Sequence, residues 1–268
     1  MMLESKKIKW FQNRLLTWAE QNLRDYPWRK TYSAKELSAI STIESNKRVL
    51  QEPKLYTQAS SNPYHVLVAE FLLQRTDADT VLPIYKAFIT RYPTLAELAV
   101  ADVSEITELL QPLGLFFRAE RLSQTAKAIT ETYNRQIPQE EATLLKLPGI
   151  GKYTARAICS QAFDQPLAVL DTNVARIIER FFGIEGKRVK SRCKILWSAA
   201  DEIAPQSDVG YWNLTLLDFG AKVCIARNPR CTECPLAQKC HWLKFKRPVS
   251  HLAKPRKENS LASSLKVN

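Results

Sequence analysis

Glycine is scarce in this chain, at seven of 268 residues, and alternating β-branched runs are few. That pairing excludes an architecture built mainly from strands. No apolar run approaches the ~20 residues that a membrane-spanning helix needs. The first residues, MMLESKKIKWFQ, lack the apolar stretch of a secretory signal. A cytoplasmic location with reduced cysteines is therefore expected, close to the nucleoid in a prokaryote, and a disulfide framework is disfavoured. Acid is in deficit: 27 Asp and Glu stand against 39 Lys and Arg, for a net charge of +12 and a pI near 9.4. Such a chain is drawn to polyanions, and with no membrane segment the expected partner is nucleic acid. No internal repeat is visible.

What is present is helical spacing. Val66, Ala69 and Leu73 lie one turn apart, as do Ile106, Leu109, Leu110 and Leu113. The expectation is an all-α protein in one large or two small units. Residues 7–24 read as an amphipathic helix ending before Pro27. Residues 30–62 are polar, weakly periodic and glycine-free, and read as an insertion or loop. From 63 to 165 short helices alternate with breaks at Pro93, Pro112-Leu113-Gly114, Pro138 and Pro148-Gly149. More helices fill 166–242, and the basic, polar stretch 243–268 reads as a flexible tail.

Four of the six cysteines crowd into seventeen residues, Cys224, Cys231, Cys234 and Cys240, spaced C-x6-C-x2-C-x5-C. Thiolates this close can share one ion or cluster without a long loop closure. A zinc ribbon usually shows two short C-x2-C pairs, and here one pair is flanked by longer gaps. Cys159 and Cys193 lie outside the group and read as small buried thiols.

Residues 147–155 read LPGIGKYTA. A helix ends near Leu145, a turn carries Gly149 and Gly151, and a new helix starts about Lys152. Two glycines permit positive φ and leave backbone N–H groups uncovered at a helix N-terminus, where an anion is favoured. Lys152 tilts this hairpin towards phosphate. The plain alternative is a helix–turn–helix corner with no ligand.

This hairpin resembles that of the helix-hairpin-helix DNA glycosylases. Asp171, in PLAVLDTNVARI, follows Tyr153 by eighteen residues, where that family places an acid. The cysteine spacing is similar to the iron–sulfur site of its endonuclease III and MutY branch. The motifs occur in the family's order over about 63–242, with a weaker trace at Tyr26-Pro27-Trp28-Arg29. The resemblance implies two helical lobes with double-stranded DNA between them. One is a six-helix bundle with the hairpin, over 63–165. The other, over 166–242, carries one 4Fe-4S cluster and packs against the N-terminal segment 1–29. It also implies base excision by a monomer.

Asp171 by itself reads as a helix N-cap. The resemblance adds support of the positive charge that develops on the sugar as the glycosidic bond breaks. Glu70 is the only charge between Tyr64 and Leu73, so it either faces solvent or is buried at a cost. In the adenine and thymine mismatch enzymes the matching glutamate contacts the flipped base. At Tyr153 the bifunctional members carry a lysine that forms a Schiff base, which a phenol cannot do. Lys152 stands one residue off, about 100° around the helix. A monofunctional glycosylase using water is therefore expected, with Tyr153 as a wall of the base pocket.

A base must be extruded and its gap filled. The resemblance places Gln74 or Arg75 against the orphaned base and Leu115 or Phe116 as a wedge; core packing is the other reading of the phenylalanines. Gln74-Arg75-Thr76, GLFFRAERL and WNLTLLDFGA resemble the Mig-type thymine mismatch enzymes, with MutY-like adenine removal the alternative. The chain runs only 28 residues past Cys240, short for the module that reads 8-oxoguanine. A non-catalytic DNA-binding protein of the same fold is the remoter alternative. The cluster is expected to act as a staple, presenting Arg227 and Arg230 to phosphate.

Overall fold

A computed structural model describes residues 3–29, 61–114 and 116–245. Among the described residues there are twelve α-helices and no strand. The expected insertion at 30–62 lies almost wholly outside them, as does the tail beyond Phe245.

Helix α1, Ser5–Asn22, buries Phe11, Leu15 and Ala19, a stripe four residues apart. Helix α2, Pro63–Leu72, is different. It starts on a proline, Asn62 caps it by accepting from the Tyr64 and His65 N–H groups, and nine of its ten residues are buried. A helix apolar all round belongs at the centre of its unit. Around it lie α3 (Ala78–Arg91), α4 (Leu95–Val100), α5 (Val103–Leu110), α6 (Phe117–Thr132), α7 (Glu141–Leu144) and α8 (Lys152–Ala162). The breaks fall at the prolines and glycines that predicted them, and Thr94 and Glu97 close a full capping box on α4. The second set is α9 (Thr172–Phe182), α10 (Lys194–Ile203), α11 (Val209–Lys222) and α12 (His241–Phe245).

Two hydrophobic cores result. The first gathers side chains from Tyr26 to Ala162, centred on Leu67, Phe71 and Leu122. The second joins Phe11 and Leu15 to residues of 168–236, and the Phe11 ring packs on Phe181 at 4.7 Å and Trp212 at 5.7 Å. The N-terminal segment does not belong to one unit. Helix α1 packs with the second core, whereas Tyr26 and Trp28 stack at 4.6 Å inside the first, where Trp28 meets Tyr85 at 4.9 Å. The chain thus crosses from one core to the other between residues 22 and 26.

The seam is polar and well filled. Asn213 of α11 accepts from the Val169 N–H and donates to the Leu167 carbonyl and Ser160 hydroxyl. Arg156 of α8 reaches the Ala168 carbonyl, Glu141 and Asp201.

Candidate active site

The chain reaches Asp171 through the buried run Ala168, Val169 and Leu170, then turns into α9. The Asp171 carboxylate caps that helix: Oδ1 accepts from the Val174 N–H at 2.7 Å and Oδ2 from the Asn173 amide at 2.9 Å. The cap fixes both oxygens. Burial pushes this carboxyl above its ordinary range, and those hydrogen bonds and Arg176 oppose the rise. The structural role at Asp171 is therefore real and leaves the carboxylate available for a second one.

Glu70 resolves its own ambiguity by being buried, at 6% exposure. Burial pushes its carboxyl up to about 8, against the pull of Arg29 and a hydrogen bond with Gln161, while the Asp171 charge adds to the rise. At neutral pH Glu70 holds a proton. Tyr153, one residue into α8, feels both acids: burial, then the charges of Glu70 and Asp171, hold its phenol well above 10. Helices α2, α8 and the start of α9 thus bring Glu70, Tyr153 and Asp171 into one electrostatic neighbourhood across the seam. A neutral acid beside a fixed carboxylate is the pairing that proton donation and cation stabilisation require. Lys152 turns away, with its ammonium 4.3 Å above the Trp197 ring.

The hairpin differs from expectation in one respect. Gly149 adopts φ +75°, and a Cβ there would stand 2.8 Å from Phe71, so the turn packs directly on the residue after Glu70. Gly151 is extended at φ −99° and open to solvent. It needs no left-handed conformation; its value is the space it leaves at the N-terminus of α8. Gln74 donates to the Gly149 carbonyl at 3.5 Å, joining the end of α2 to the hairpin. The fully buried Arg118 holds the same turn, donating to the Leu72 carbonyl and the Thr76 hydroxyl. Arg75 sits exposed at φ +60°. Phe116 and Phe117 are 61% and 39% exposed, which rules out core packing for the first. Leu115 lies outside the described residues.

Cys224, Cys231, Cys234 and Cys240 line one small pocket with Arg180, Val223, Pro229, Arg230 and Trp242. Among the described residues no three His, Cys, Asp or Glu side chains are grouped to hold a metal ion. An all-thiolate donor set is what an iron–sulfur cluster takes. Arg176 and Arg180 of α9 secure the loop. Arg176 donates to the carbonyls of Cys224 and Gly220, and Arg180 to those of Ile225 and Ala226. Arg227 and Arg230 are exposed on it.

Three contributors, Asp218, Arg29 and Gln161, received no role from the sequence. Asp218 of α11 is fully buried and joins Arg24 at 2.6 Å and Arg29 at 2.8 Å. Arg29 is also the charge that restrains Glu70, and Gln161 is its hydrogen-bond partner. A signal existed: Asp218 is a lone acid in the apolar run WNLTLLDFGA, as Glu70 is in its own.

Residues 68–201, half of the chain, match the family model described as HhH-GPD superfamily base excision DNA repair protein. Residues 224–240 match the iron-sulfur binding domain of endonuclease III. A thymine/uracil-DNA glycosylase of Methanothermobacter thermautotrophicus is 31% identical over 239 residues, covering 89% of this chain and 95% of that protein. An adenine DNA glycosylase of Buchnera aphidicola subsp. Schizaphis graminum is 36% identical over 192 residues, covering 68% of this chain and 54% of that protein. The solved structure of a thermostable thymine-DNA glycosylase superposes with a TM-score of 0.74 at 31% identity, over 89% of this chain and 97% of that one.

Proposed function

This chain belongs to the HhH-GPD superfamily as a base-excision DNA glycosylase with one 4Fe-4S cluster, and on that premise we propose that it hydrolyses a flipped thymine or uracil opposite guanine without cutting the strand. The observation that carries the reading is the convergence of a proton-bearing Glu70 and the capped carboxylate of Asp171 on a tyrosine. The proposed step breaks the C1′–N bond, and its electron pair leaves on the base. Glu70 gives its proton to that base. The hydrogen bonds Asp171 accepts favour its charged form, which faces the positive charge growing on the sugar. Water adds to C1′ and returns a proton to Glu70.

No amine enters this scheme. Tyr153 has none, and Lys152 is occupied on Trp197, so base release without a Schiff base follows. The double-stranded, mismatched substrate is opened by Phe116, with Gln74 and Arg75 at the vacated position. The near-complete span of the thymine/uracil relative supports the pyrimidine. The 36% identity to an adenine enzyme keeps adenine opposite guanine or 8-oxoguanine as the second reading. Cys224, Cys231, Cys234 and Cys240 would hold the cluster, which supplies a cross-link between four thiolates and takes no part in bond cleavage.

The test is a panel of duplexes carrying T·G, U·G, A·G, A·8-oxoguanine and oxidised pyrimidines, scored before and after alkali. Product only after alkali from T·G and U·G is the expected result. Release from none sinks the enzyme reading, and a borohydride-trapped adduct sinks the monofunctional one. Asp171→Asn keeps the cap but loses the charge, and should slow base release by about 10²–10³-fold.

A further inference from the structure

The segment that leads from α9 into the first residue of α10 carries five cations in eight residues: Lys187, Arg188, Lys190, Arg192 and Lys194. It is a built loop. The Lys187 N–H donates to Cys193 Sγ at 3.3 Å, and Cys193 is fully buried. The Lys190 ammonium is taken inward by Glu179. Residues 190–192 form a 3₁₀ turn, and the Ser191 carbonyl accepts from the Trp197 indole at 2.9 Å. These ties leave Lys187, Arg188, Arg192 and Lys194 exposed around Val189, which is itself 53% exposed.

The position of the loop matters as much as its charge. The indole that holds Ser191 is the one whose face carries Lys152, the first residue of α8 after the hairpin. Trp197 therefore joins the hairpin to the basic loop, edge to face. The basic loop is thereby tied to the first turn of α8 through a single side chain. The loop's anchoring is already made in the free protein, which lowers the ordering cost of binding.

We propose that this loop is a second phosphate-binding surface, gripping the duplex beyond the hairpin and independently of the excised base. It rests on the DNA-binding reading above, so its test uses a duplex with no target base. A protein that neutralises phosphates releases counterions, and log K falls with log salt by about 0.9 per contact on duplex DNA. Binding of the full-length protein to an undamaged duplex is followed by fluorescence anisotropy across a potassium chloride series. The variant is K187Q/R188Q/R192Q/K194Q, with Lys190 left to hold Glu179. The expected result is a salt slope lower by about 2–4 and a matching loss of affinity at moderate salt. The conservative K187R/R188K/R192K/K194R should restore the wild-type slope, which separates charge from folding. A glutamine variant that melts like wild type and keeps the wild-type slope overturns the proposal. So does a slope that falls but is not restored by the charge-keeping swap. Failure of every duplex in the excision panel would leave this binding result standing, so the two readings fail separately.

Discussion

Glu70 and Asp218 are both acids on buried helices, 6% and 0% exposed, and they carry opposite charge states. Burial pushes both carboxyls up. At Asp218 the rise is overcome by Arg29 and then Arg24, whose side chains and one backbone N–H place five donors on its two oxygens, so it is held below the usual range. At Glu70 the rise wins, to about 8. Arg29 serves both. Its two terminal nitrogens both donate to Asp218, and it acts on Glu70 as a charge through space. The same burial thus makes a permanent anion where donors are supplied and a proton store where they are withheld. One is a strut between the cores; the other holds the proton that the proposed step uses.

The largest break in this comparison should come from Asp218→Ala. It strands the largely buried Arg29 guanidinium and the half-buried Arg24 and is expected to cost about 3–5 kcal/mol in urea unfolding. A loss near zero would mean that water replaces the carboxylate, and the strut is idle.

Next comes Glu70→Gln, with the opposite sign. Native Glu70 keeps its proton to about pH 8, whereas in the unfolded chain it titrates near 4.5. Between those values the native state binds more protons than the unfolded one, so its stability falls as pH rises. At ~1.4 kcal/mol per unit the deficit at pH 7 is about 3 kcal/mol. Glutamine should recover most of it at neutral pH and none in acid, while abolishing base release. Equal melting gains at both pH values would contradict the raised carboxyl.

A smaller effect is expected from Arg29→Gln. Removing the restraining charge should move the alkaline fall in wild-type base release, placed near pH 8, to higher pH. A shift to lower pH would show that Arg29 does not face Glu70. Arg24→Gln should do least. Its side chain is 26% exposed and Asp218 keeps Arg29, so a cost of about 1 kcal/mol and an unmoved pH limb are expected.

What could be read in advance was local. The hairpin, the cysteine spacing and the cap at Asp171 each occupy a short continuous stretch, so residue type and spacing identify them. Glu70 was legible as an anomaly, a lone charge among apolar neighbours, but not as solvent-facing or buried. Asp218 presented the same anomaly and went unread, because its partner Arg29 stands 189 residues away and ion pairing has no sequence period. Gly151 shows the reverse error: a glycine suggests positive φ, yet its backbone is extended and only its missing side chain matters. At Phe116 composition could not choose between core and wedge, since a bulky apolar residue suits both, and only its 61% exposure decides.

The hold of α9 on the cysteine loop also has an evolutionary consequence. Arg176 and Arg180 bind carbonyl oxygens of Gly220, Cys224, Ile225 and Ala226, which every amino acid possesses. The side chains from Ile225 to Asn228 can therefore drift under selection while the grip persists. Two arginines one turn apart become the constant part of the device, and the exposed stretch they carry becomes the part free to be rewritten.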